Sequence, residues 1–201
     1  MFSLPLVLVV PGVSPRSAGA SPATFQAPIA LPAPTGPPPP GSRTVVTDDG
    51  VPLHVEVDGR QDARLTVVFA HGFTARLVEW ELQRAALRDR ARLVFFDQRG
   101  HGRSATTPLP EATIGRTGRD LGQVLDATTP TGPVVLAGHS MGGMSIMALA
   151  RQRPELFGTR VVGVLLLATS AGGLVETGLL GWLLKVIRWS GLLPLYLRWL
   201  Q

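Results

Sequence analysis

The chain has 201 residues, of which 45% are hydrophobic and 16% charged, so it can bury one good core and is not a disordered or fibrous protein. Its formal net charge is +5, but the arginines are scattered, Lys185 is the only lysine, and no basic stripe is interleaved with aromatics, which argues against a nucleic-acid-binding face. There are no cysteines, which excludes disulfides and thiol catalysis and leaves the compartment open.

Residues 1–43 differ in character from the rest of the chain. Most of the chain's prolines lie here, culminating in Pro37 to Pro40, and no acidic residue occurs, so a disordered or polyproline arm is expected. Phe2 to Val10 is apolar and Ala18-Gly19-Ala20 resembles a signal cleavage site. No Lys or Arg precedes the apolar run, however, and Pro5 and Pro11 interrupt it. The expectation is a cytoplasmic protein, with export or membrane association as the alternatives.

From Thr44 the pattern becomes regular. Val45–Thr47 and Leu53–Val57 flank the turn Asp48-Asp49-Gly50 and predict an antiparallel hairpin, with His54 on its outward side. Leu65–Ala70 is a continuous apolar run that closes on His71-Gly72-Phe73. Glu79–Arg88 reads as a helix, and Leu93–Phe96 is a second buried strand, closing on Asp97-Gln98-Arg99-Gly100-His101-Gly102-Arg103-Ser104. Ile114–Ala127 is a helix with Leu121, Val124 and Leu125 inward. Val134–Ala137 is a strand bounded by Thr131-Gly132-Pro133, and Met141–Arg153 is a helix stopped by Pro154. Val161–Leu167 is a last buried strand. Alternation of strand and helix predicts an α/β architecture with a mostly parallel, doubly wound sheet and an antiparallel N-terminal hairpin.

Gly138-His139-Ser140-Met141-Gly142 joins the strand ending at Ala137 to the helix beginning at Met141. Side chains at Gly138 and Gly142 would collide if strand and helix met at a sharp angle, so the serine is forced outward. There its hydroxyl can meet a substrate carbonyl, at a helix N-terminus where the backbone N–H of Met141 also points.

With this elbow, the chain resembles the α/β-hydrolase superfamily. His71-Gly72-Phe73 is similar to the family's oxyanion loop, and Asp97 to Ser104 to the D-x-R-G-x-G-x-S turn that many members carry. The resemblance implies Ser140 as nucleophile, Phe73 and Met141 N–H as oxyanion donors, and Gly138, His139, Gly142, His71, Gly72 and Asp97 as supporting residues. It implies no cofactor and no metal. His71 and Asp97 are expected to order their turns by hydrogen bonding. In the family a helical lid commonly follows the strand that Val161–Leu167 resembles, so 171–201 resembles the start of a cap, after a hydrolase core over 44–170. Trp182, Trp189, Tyr196 and Trp199 would then line an apolar entrance, with weak membrane-surface association through 174–200 as an alternative.

A serine needs a general base and an acid to orient it, and in this fold they follow in the order Ser, Asp or Glu, His. Here His54, His71, His101 and His139 all precede Ser140, and only Glu155 and Glu176 are carboxylates after it. The sequence therefore reads as the N-terminal part of a longer hydrolase, truncated after its sixth strand and the start of a helical cap, and nearly inactive alone. Its last strand, Val161–Leu167, would be an exposed edge. The expected activity is serine-dependent hydrolysis of an ester, thioester or amide of a small, apolar acyl substrate. The alternatives are a lactonase, carbon–carbon hydrolase or cofactor-free haloperoxidase on the same fold, or a non-catalytic binder of apolar ligands. Ser at position 140 argues against an Asp-nucleophile epoxide hydrolase or dehalogenase.

Overall fold

A computed structural model describes residues 6–9, 41–106, 108 and 111–171. Its strands are β1 (Leu6–Val9), β2 (Ser42–Val46), β3 (Pro52–Gly59), β4 (Thr66–Ala70), β5 (Arg92–Phe96), β6 (Val134–His139) and β7 (Val161–Leu167). The helices are α1 (Glu81–Leu87), α2 (Ile114–Thr128) and α3 (Met141–Gln152), with short 3₁₀ turns at Leu77–Trp80 and Pro154–Leu156. The strands form one sheet in the order β1-β7-β6-β4-β5-β3-β2, antiparallel through β2, β3 and β5 and parallel elsewhere. This is the mixed, mostly parallel α/β sheet expected of the chain.

The apolar runs are continuous because both faces of the sheet are covered. Successive side chains of a strand point to opposite faces. Val67, Phe69, Leu93 and Phe95 therefore pack with Leu77 and Trp80 on one side. Val68, Ala70, Val94, Phe96 and Leu136 pack on the other against Leu121, Val124 and Leu125 of α2 and Ile146 and Leu149 of α3. Phe69 stacks on Phe95 with ring centroids 4.7 Å apart, and the Arg84 guanidinium of α1 lies 4.2 Å from the centre of the Phe95 ring. Each such buried Leu or Phe contributes about 1.5–3 kcal/mol relative to exposure.

Expectations from the sequence are corrected at Glu79, at His54 and at Leu6–Val9. The helix placed at Glu79 begins at Glu81, because residues 77–80 wind as a 3₁₀ turn that buries Leu77 and Trp80. His54 is buried, not outward, because β3 lies between β2 and β5 and its second face is closed by Glu56 and Arg84; His54 Nε2 is 3.1 Å from Glu56 Oε1 and Arg84 donates to Glu56 Oε2 at 2.6 Å. Leu6–Val9, placed in an arm outside the core, is a strand. It pairs in parallel with Gly163–Leu166, so β7 is covered along that stretch and is not the sheet edge. The expected lid over 171–201, beyond Ala171, and the remainder of the arm up to residue 40 lie outside the described residues.

Topology places the site. From β4 the chain moves to β5 on one side and then returns to β6 on the other. The connections diverge between β4 and β6, and the crevice beyond the C-terminal ends of strands at such a switch point is where open α/β sheets bind ligands. Ala70 and Gly138 are register partners there, so the segment His71-Gly72-Phe73 and the turn at Ser140 leave the sheet side by side.

Candidate active site

Ser140 joins β6 to α3 with φ 48° and ψ −112°, a left-handed backbone that L residues avoid and that stores on the order of 1–3 kcal/mol. It is held from several sides. Its N–H donates to Leu167 O (2.9 Å), and its carbonyl accepts from Thr169 Oγ1 (2.7 Å) and from Met144 N–H (3.2 Å). The strain is local to this end of the sheet. Among the described residues the non-glycine residues with positive φ are Thr74, Ser140 and Ala168, each just beyond the C-terminal end of β4, β6 or β7.

The glycines flanking the serine have no room for a side chain. A Cβ at Gly142 would stand 2.0 Å from Ala70 O, and one at Gly138 would stand 2.6 Å from Gly143 N. α3 thus begins in backbone contact with the end of β4. Gly143, which the elbow motif does not require, is equally closed, because a Cβ there would meet Thr169 at 2.7 Å.

The loop after β4 lies on this elbow. A Cβ at Gly72 would stand 2.9 Å from His139 Nδ1 and 3.5 Å from Ser140 Cβ. His71 is fully buried; its Nδ1 is 2.8 Å from Gly72 O, and its Nε2 accepts from Gln98 N–H at 2.9 Å. The ring is therefore the Nδ1–H tautomer, and burial lowers its pKa to about 4. Gln98 continues the network, donating to His71 O (2.6 Å) and placing its Oε1 2.9 Å from Ser145 Oγ, one turn into α3. Phe73 is exposed beside His101, with ring centroids 5.7 Å apart, and Thr74 N–H points at His101 Nε2 at 3.4 Å. The N–H groups of Phe73 and Met141, and the hydroxyl of Ser140, have no partner among the described residues.

Asp97 closes β5 from inside the fold. Its carboxylate accepts from Leu77 N–H (2.8 Å) and Arg103 N–H (2.9 Å), while Ser104 Oγ donates to its carbonyl (2.6 Å). Arg99 in the same turn is buried between Asp120, at 2.6 and 2.8 Å, and Asp49, at 3.0 and 3.2 Å. These carboxylates, Asp120 first, hold the guanidinium pKa above its ordinary value, and Arg99 in turn holds Asp49 well below the usual carboxylate range. Asp97 and Arg99 anchor the turn rather than face Ser140.

A profile of the Alpha/beta hydrolase family matches residues 67–201, which takes in β4, the loop after it, the Asp97 turn and the elbow. The chain belongs to the α/β-hydrolase family. It is similar to proteins of several named activities. A relative from Variovorax paradoxus (strain S110), carrying the name carbamate hydrolase RutD, is 36% identical over 105 residues, covering 52% of this chain and 39% of that protein. A hydrolase from Pseudomonas aeruginosa PA01 superposes with a TM-score of 0.60 at 29% identity, covering 68% of this chain and 49% of that one. A thermophilic esterase from Thermogutta terrifontis superposes with a TM-score of 0.56 at 32% identity, covering 65% and 46%. This family member thus spans less than half the length of each.

One residue near the site is not legible in the sequence. Glu79 lies in the 3₁₀ turn, accepts from Gly72 N–H at 2.9 Å with Oε2, and faces His139 Nδ1 with Oε1. In the sequence it reads only as the first residue of a helix. The histidines are otherwise occupied: His54 with Glu56, His71 with Gly72 and Gln98, His101 with Arg99 O at 2.9 Å, His139 with Glu79.

Proposed function

We propose that the protein is a serine hydrolase of an ester, thioester or amide with a small, apolar acyl group. The observation that carries this reading is the left-handed Ser140 at the start of α3, whose hydroxyl has no partner among the described residues, in contact with a loop whose Phe73 N–H has none there either. Strain of this kind persists only where the surroundings over-determine it, and packing alone does not call for it. Ser140 Oγ attacks the carbonyl carbon, and the developing oxyanion is received by Phe73 and Met141 N–H, aided by the α3 N-terminus. The leaving group departs with a proton, and water then cleaves the acyl-enzyme, returning Ser140. The relatives named as a carbamate hydrolase and an esterase both fit attack at an acyl carbon.

We infer that the base is supplied by another segment or chain, because none of the four histidines has a hydrogen bond to Ser140 among the described residues and residues 172–201 contain neither His nor Asp. Without it, an oxyanion hole and binding alone supply about 10³- to 10⁴-fold over water. The test is a fluorophosphonate probe on the full natural protein and, separately, on residues 1–201. The full protein labels at Ser140 and loses labelling in Ser140→Ala, while the 201-residue chain labels far more slowly. Rapid short-chain ester turnover by residues 1–201, abolished in Ser140→Ala, overturns the absence of a base; no labelling of the full protein overturns the nucleophile and leaves a non-catalytic binder.

A further inference from the structure

Three backbone points define the geometry at Ser140: Phe73 N, Met141 N and the serine itself. The loop and the elbow that carry them come from different strands, β4 and β6, and one carboxylate touches both. Glu79 Oε2 accepts from the buried Gly72 N–H, the residue before Phe73, and Glu79 Oε1 faces Nδ1 of His139, the residue before Ser140. Occupying Gly72 N–H leaves Phe73 N–H as the free donor of that loop. Glu79 is itself held: Asp97 Oδ1 accepts from Leu77 N–H at the head of the same 3₁₀ turn, and Trp80 beside it is buried against Phe69 at 5.1 Å. A chain of contacts therefore runs from the Asp97 turn through Glu79 to both halves of the oxyanion site.

We propose that Glu79 is a positioning residue for the hydrolytic reaction, clipping the loop at Gly72 to the elbow at His139 and so fixing the gap between Phe73 N–H and Met141 N–H. This rests on the serine-hydrolase reading above. Oxyanion donors act only when preorganised at the position the charged oxygen will occupy, and displacement by about 1 Å can lower the rate on the order of 100-fold. Glu79 touches no reacting atom, so its loss changes transition-state stabilisation and leaves ground-state binding nearly intact. A glutamine at this position keeps the clip, since its carbonyl accepts from Gly72 N–H and its amide donates to His139 Nδ1 once the ring carries its proton on Nε2.

The experiment uses the full natural protein, with active sites titrated by the fluorophosphonate so that rates are expressed per competent serine. Glu79→Ala lowers kcat on a short-chain ester by about 10- to 100-fold, with KM within about threefold, and weakens an alkyl boronic acid by a similar factor. Glu79→Gln recovers most of the rate. His139→Ala breaks the clip from the elbow side, gives a comparable loss, and adds little in the double variant; it serves if Glu79→Ala does not fold. The proposal is overturned if Glu79→Ala turns over at the wild-type rate per titrated site, if Glu79→Gln loses as much as Glu79→Ala, or if the two single losses multiply. Wild-type protein that neither labels nor turns over overturns the serine-hydrolase reading itself.

Discussion

Gly115 and Gly142 are each the second residue of a helix, α2 and α3 respectively, yet alanine at the two positions should act in opposite directions. In α2 a Cβ at Gly115 meets nothing nearer than 3.8 Å, so Gly115→Ala should stabilise the protein by about 0.5 kcal/mol, the lower end of the helical glycine-to-alanine gain. In α3 the same atom would stand 2.0 Å from Ala70 O, 2.5 Å from Ala70 C and 2.9 Å from His71 O, all of them backbone. None of these can rotate away, so α3 has to separate from β4 by more than about 1 Å. Overpacking of a closed site costs about 1–3 kcal/mol, and here the upper end applies, a large share of a total stability on the order of 5–15 kcal/mol. Urea unfolding of both variants measures the two effects on one protein, and fluorophosphonate labelling of Gly142→Ala reports the displaced serine as a slower rate. A Gly142→Ala protein within about 0.5 kcal/mol of wild type would refute the claim that strand and helix are in contact at the elbow.

Two further predictions concern the same edge. Ser140→Gly relieves a φ of 48° and should raise stability by about 1 kcal/mol while abolishing labelling; a less stable variant in thermal unfolding would mean that the turn is not strained. His71 has a pKa lowered to about 4 from 6.5 by burial, so its contribution is fully present above pH 6.5 and is lost as pH falls towards 4, on the order of 3 kcal/mol in all. Denaturant unfolding from pH 7 to 5 should therefore steepen with acid in wild type and flatten in His71→Gln, and parallel curves would contradict a buried neutral ring.

Much of the fold is legible because it depends on local pattern. The run Leu93-Val94-Phe95-Phe96 is apolar throughout, which a strand needs only if both of its faces are buried, and Gly138 and Gly142 bracket Ser140 at the spacing a tight elbow demands. His54 is misplaced by the same logic. Alternation puts it opposite Leu53 and Val55, but only tertiary packing decides that Glu56 and Arg84 close that side as well. Glu79 escapes because its partners, Gly72 N–H and His139, are chosen by where β4 and β6 come to lie, and nothing in Leu77-Val78-Glu79-Trp80 encodes them. Gly143 is visible as a third glycine, but its reason, Thr169 beyond β7, is not. Leu6–Val9 reads as signal-like for a similar reason, since its partner β7 lies more than 150 residues further along the chain.

The central position of β4 also governs when the site can exist during synthesis. Its neighbours β5 and β6 both follow it along the chain, and the segment at its end lies closely against His139, Ser140 and Gly142. A nascent chain that has made β4 but not β6 holds the loop at 71–73 without the elbow that packs on it. When Ser140 emerges, the loop it packs against has already been translated, but Leu167 and Thr169, which hold its N–H and carbonyl, have not, so the turn is completed only after β7 has been made.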